Sequence, residues 1–168
     1  MISHGLFGFY YKHKYYLSYN YSESQYSFLG KNLVNEIKLM LIHDKFDKWC
    51  NMLENITIIE NLVGIRKQPS KYDIKILEPY SDWNQEMIVE GFHDSTDSTD
   101  PTPDKDWYLL LYKTQGSFMK VLQSGYIINH DKESCNIDYI YILDFDNKQF
   151  IVNDICRTVY SFDKLPNW

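Results

Sequence analysis

The chain has 168 residues, and 44% hydrophobic content is enough to bury a core, which excludes global disorder. A formal charge of -6, from 23 acidic against 17 basic residues, argues against a protein whose main work is gripping phosphate backbones. Cys50, Cys135 and Cys156 have no CxxC spacing and the histidines are scattered, so no zinc pattern is present. No segment approaches the ~18 consecutive apolar residues of a membrane span. The expectation is one domain over 1–168, reduced and cytoplasmic, with no cofactor and no metal. Alanine is absent and Tyr, Ile, Lys and Asn are abundant, which reads as the codon usage of an A/T-rich genome, with an aromatic binding surface as the alternative.

The N-terminus predicts a hairpin. Leu6–Tyr11 and Tyr15–Tyr21 are strand-prone aromatic runs around the polar break Lys12–Lys14. Leu29, Leu33, Ile37 and Met40 then recur at helical spacing, although Gly30 blurs the start. Phe46–Leu53 predicts a second helix with Trp49 and Met52 toward the core. Ile56–Ile59 suits a strand or a helix tail, Lys67–Lys71 a connection and Tyr72–Ile76 a short strand.

Residues 93–106 are acidic, polar and Pro-bearing, and read as an exposed loop. They lack the Gly and terminal Glu of a calcium-binding loop. A long helix is predicted next, capped by Asp104 or Asp106, faced by Trp107, Leu110, Leu111, Phe118, Val121 and Leu122, and stopped at Gly125. Gly116 in its middle costs about 1 kcal/mol against Ala and marks close packing or a break. Ile137–Leu143 and Gln149–Val152 form a second hairpin around Asp144–Lys148, and Thr158–Phe162 is a last strand. The order gives an α+β domain, with an antiparallel sheet that both terminal hairpins can share and helices packed on it. The small basic patches, Lys12–Lys14 and Arg66–Lys67, read as solvated turns.

Both ends resemble one family of small, largely uncharacterised proteins found in fungi, bacteria and large DNA viruses. Its members open near Met-Cys-Thr-Arg-Gly or Met-Gly-Thr-Arg-Gly, followed by a strand, a basic turn, Tyr-Asn-His-Phe-Asp-Ser-Tyr-Pro and then Leu-Gly. Gly5, the turn Lys12–Lys14, Tyr19-Asn20, Glu23-Ser24 and Leu29-Gly30 stand at matching places. Tyr139–Val152 and Leu165-Pro166 are similar to the family's C-terminal end. The Met-Cys opening looks like that of N-terminal-nucleophile (Ntn) hydrolases, in which a freed Cys attacks and its own α-amine, of pKa about 8, is the base. The resemblance therefore implies an Ntn-hydrolase-like fold. It places an orienting acid at Glu23 and a donor at Asn20.

The chain departs from the family where it matters most. Ile2 stands at the nucleophile position, His4 where Arg is usual, and Gln25-Tyr26 where the family has Tyr-Pro. A bulky Ile2 should also block removal of Met1. The reading is a degenerate enzyme repurposed to bind a ligand or partner. The alternatives are an active amidohydrolase using Ser3 or another nucleophile, and a viral structural or interaction protein, which would place it in host cytoplasm or virion. Candidate site residues are Ser3, His4, Asn20 and Glu23. Against these stand plainer readings: Ser22–Ser24 as helix-capping residues, His4 as a half-buried strand residue, and the three cysteines as small apolar filler. The expected partner is an unidentified small molecule or protein, with no nucleic acid and no membrane, and self-association is left open.

Overall fold

Two positive backbone angles begin the fold. Lys12 and His13 take φ of 49° and 62° in the two-residue turn between β1 (Gly5–Tyr11) and β2 (Lys14–Asn20). Paired left-handed residues match the right-handed twist of the strands they join. Neither residue is Asn or Gly, and the turn is held from outside. The Asp146 carboxylate accepts from Lys12 N at 2.8 Å and from His13 N at 3.0 Å. These bonds hold its carboxyl below the usual carboxylate range, the His13 amide contributing most. The structure, a computed structural model, describes residues 2–59, 114–133 and 136–168. The expectations for Lys67–Ile76, for the loop 93–106, for Trp107–Leu111 and for Cys135 lie outside these residues.

The second hairpin joins β5 (Tyr139–Asp144) to β6 (Gln149–Asn153), and β7 (Arg157–Ser161) follows at the sheet edge. The five strands lie in the order β2-β1-β5-β6-β7. The hairpins do share one sheet, and most of its pairings are antiparallel. The seam between them corrects the wholly antiparallel expectation: β1 and β5 run parallel, with Gly5 opposite Tyr139 and Tyr10 opposite Asp144. A parallel neighbour needs a crossover, and here the chain between β2 and β5 supplies it.

Strand alternation sorts the side chains. Phe7, Phe9, Tyr141, Leu143, Phe150 and Val152 enter the core with the helices, while Leu6, Leu17, Ile142 and Ile151 form a smaller cluster on the other face. Three α-helices cover the first face among the described residues: α1 (Lys31–Ile42), α2 (Phe46–Glu54) and α3 (Phe118–Ser124). Leu33, Val34, Ile37 and Met40 of α1 meet Trp49, Cys50 and Leu53 of α2 in this core. Each fully buried side chain of this size is worth about 1.5–3 kcal/mol. Phe9 and Phe118 rings lie 5.2 Å apart and tie α3 to β1. Glu36 of α1 also reaches α3: its Oε1 accepts from Ser117 Oγ at 2.8 Å and from Met119 N at 2.9 Å.

The long helix expected to run through Gly116 is broken there. Gly116 takes φ +75° and Ser117 is extended, so α3 starts at Phe118 with Ser117 Oγ accepting from Lys120 N at 3.1 Å. Gly125, at φ +73°, stops it as expected. Thr57–Ile59 (β3) is a strand and pairs in parallel with β4 (Tyr126–Ile128), which periodicity did not mark. His130 N donates to Leu17 O at 2.9 Å and joins this small sheet to β2. Cys50 is buried, as filler should be, but Cys156 is exposed at the turn before β7. No helix among the described residues is long and apolar enough to cross a membrane.

Candidate functional site

The site is built where the first hairpin ends. Gly5 pairs with Asn20 on the helix-covered face. A Cβ at Gly5 would come within 2.8 Å of both Cβ and Oγ of Ser24, so the missing side chain is the space that Ser24 fills. Ser24 is fully buried and bonded on every side. Its N donates to Ser3 Oγ at 2.8 Å, its carbonyl accepts from the Tyr141 hydroxyl at 2.7 Å, and its Oγ accepts from Asn20 Nδ2 at 2.8 Å. Burial pushes the Tyr141 hydroxyl well above the usual phenol range, which keeps it a donor. Asn20 Nδ2 also donates to Ser22 O at 2.6 Å, closing the turn on itself.

This anchoring holds Glu23 in the left-handed region, at φ +54°. Its carbonyl accepts from Leu29 N at 3.3 Å, and Gly30 N donates to Gln25 O at 3.3 Å in the π-turn Tyr26–Gly30 that leads into α1. Such turns are rare and are frequent at functional sites. Beside it opens a cleft of about 250 Å³. Asn20, Ser22 and Glu23 form one wall. Phe28, Leu29 and Asn32 form another, and Gln115 and Gly116 close it from the break before α3. Phe28 is 48% exposed, although it is a large apolar side chain. Among the described residues no three His, Cys, Asp or Glu side chains gather as a metal site.

The candidate residues divide into two groups. Ser3, Asn20 and the Glu23 turn are brought together. His4 is not: it lies just before β1, and its side chain goes to the face of the sheet that carries Tyr19. Its ring stacks on Tyr19, centroids 5.9 Å apart, and its Nδ1 is buried without a partner. His4 thus serves the sheet: its carbonyl accepts from Asp138 N at 2.9 Å and its N donates to Asp138 Oδ2 at 2.9 Å. The Ser3 hydroxyl donates to Gln25 Oε1 at 2.7 Å while accepting from Ser24 N, so its one proton is engaged by an amide oxygen. Ile2 does not plug the cleft; it is 72% exposed.

The capping expectation for Ser22–Ser24 also changes, since the residue before α1 is Gly30 and no side chain caps that helix. Phe28, Asn32, Gln115 and Tyr141 were not marked by sequence. The one available signal was Gly116, whose break exposes the Gln115–Gly116 wall. Comparison with protein-family models, with curated proteins and with solved structures finds no match to the chain.

Proposed function

We propose that this chain is a non-catalytic, Ntn-hydrolase-like protein that takes a small ligand in the cleft beside Asn20 and Glu23. The reading is supported above all by the Ser3 hydroxyl. A nucleophile needs a base within hydrogen-bond reach and a free line of attack. Ser3 Oγ instead gives its one proton to Gln25 Oε1, an amide oxygen too weakly basic to serve as a general base, while it accepts from Ser24 N, and the His4 ring is stacked on Tyr19. The residue at the nucleophile position is the hydrocarbon Ile2. What the family-like segment builds is a rigid turn with an open polar cleft.

Incubation with model amides, together with intact-mass measurement, tests this. The expected result is no hydrolysis above background, and a Ser3→Ala variant that is less stable but has no activity to lose. A trimmed chain beginning at Ser3, hydrolysing amides in a way abolished by Ser3→Ala, overturns the proposal in favour of an amidohydrolase.

A further inference from the structure

We infer that the cleft selects a small ligand bearing a protonated amine, held by the Glu23 carboxylate and the Asn20 and Asn32 amide oxygens, with its apolar part on the Phe28 ring. This rests on the reading of the cleft as a binding site and names the chemistry it prefers.

Charge gives the first argument. Among the described residues lining the cleft, Glu23 is the one ionisable group, with no Lys, Arg or His beside it. An anion entering there meets a carboxylate that no described lining residue compensates, whereas a cation meets its counter-charge. The second argument is vacancy of bonding. The Glu23 carboxylate and the Asn32 amide make no hydrogen bond or ion pair among the described residues, and the Phe28 ring makes no aromatic contact there. Asn20 spends both donors on Ser22 and Ser24, which leaves its Oδ1 as the atom to offer. A carboxylate, amide acceptors and an open aromatic face are the parts with which proteins recognise ammonium groups.

Rigidity gives the third argument. A long side chain in the left-handed region is disfavoured and persists where the surroundings over-determine it. The Ser24 bonds to Ser3, Asn20 and Tyr141 do so here, and they fix the Glu23 backbone before any ligand arrives. Size gives the fourth. About 250 Å³ lies below the roughly 300–1,000 Å³ of pockets for drug-sized ligands, so the class is a simple amine or amino amide. Gln115 points its Oε1 at Tyr21 N, 3.5 Å away, and its own N–H groups suit a carbonyl or hydroxyl on the same molecule.

Titration of the isotope-labelled protein with benzylammonium, benzamide and benzoate, followed by backbone NMR, tests the inference. Benzylammonium should shift Glu23, Asn32 and Gly116 saturably, and benzoate should not. Glu23→Gln should weaken benzylammonium by about three- to five-fold, the worth of one exposed ion pair. Glu23→Gly, which relieves the backbone strain, should do the same in a fold at least as stable. Benzoate binding as tightly as benzylammonium, or amine affinity unchanged in both variants, overturns the amine preference and leaves a binding cleft standing. If no probe moves these resonances, the cleft reading falls as well.

Discussion

The hydroxyl of Tyr141, on β5, donates at 2.7 Å to the carbonyl of Ser24, in the turn after β2. One buried bond thus links the centre of the sheet to the wall of the cleft. Tyr141→Phe removes the donor and leaves a buried carbonyl without a partner. The expected cost is about 1–3 kcal/mol, read from urea unfolding. Benzylammonium affinity should fall with it, because the Glu23 turn loses an anchor. Unchanged stability would mean that the turn stands without Tyr141.

Gly5→Ala should destabilise by about 1–3 kcal/mol, the usual cost of overpacking. The new Cβ would collide with Ser24, whose Cβ and Oγ both lie 2.8 Å from its position. Ser24→Gly in the same chain clears both atoms and should recover part of that loss. A double-mutant cycle in thermal unfolding measures the recovery. Additive losses would show that Gly5 is needed for another reason.

Glu36 makes stability depend on pH. Burial raises its carboxyl from the ordinary 4.5 to about 7, against the pull of the Met119 and Ser117 bonds. Folding therefore favours the protonated form. That contribution is fully present below the unfolded-state value and is lost as pH rises through the folded one. Unfolding free energy should fall by roughly 1–3 kcal/mol between about pH 5 and pH 8 on account of this group. Glu36→Gln keeps an acceptor for Ser117 and Met119 but carries no charge. Its pH profile should be flatter, and it should exceed the parent in stability at the alkaline end.

Cysteine accessibility separates two thiols. Cys156 is exposed, while Cys50 is buried and its thiol is pushed up to about 11 by burial. Brief alkylation of the native protein followed by peptide mapping should label Cys156 and spare Cys50 until denaturant is added. Rapid native labelling of Cys50 would place α2 among the locally opening parts of the fold.

The two hairpins were legible because each sets two runs of strand-prone aromatic or β-branched residues around a polar turn. The helices at 31–42 and 46–54 were legible because Leu33, Ile37, Trp49 and Leu53 repeat at helical spacing. The parallel seam was not, since local pattern pairs neighbours in sequence and β1 meets β5 across most of the chain. Nor was β4, because Tyr126–Ile128 is too short to show a period. At the site, Asn20 and Glu23 were marked by resemblance. Phe28 and Asn32 are ordinary residues at a helix entrance, and what distinguishes them is the π-turn that leaves Phe28 uncovered. The separation of His4 from Ser3 was not legible, because both residues precede β1 and no strand period fixes their side chains.

The parallel join between β1 and β5 has a consequence for the order of assembly. Each hairpin closes a short loop and can form early, but His4 and Asp138 must meet across 134 positions. Since Tyr141 arrives with that join, a fragment ending before β5 would own Asn20, Glu23, Phe28 and Asn32 and still lack a finished cleft. The cleft is therefore completed late, when segments 134 positions apart come together.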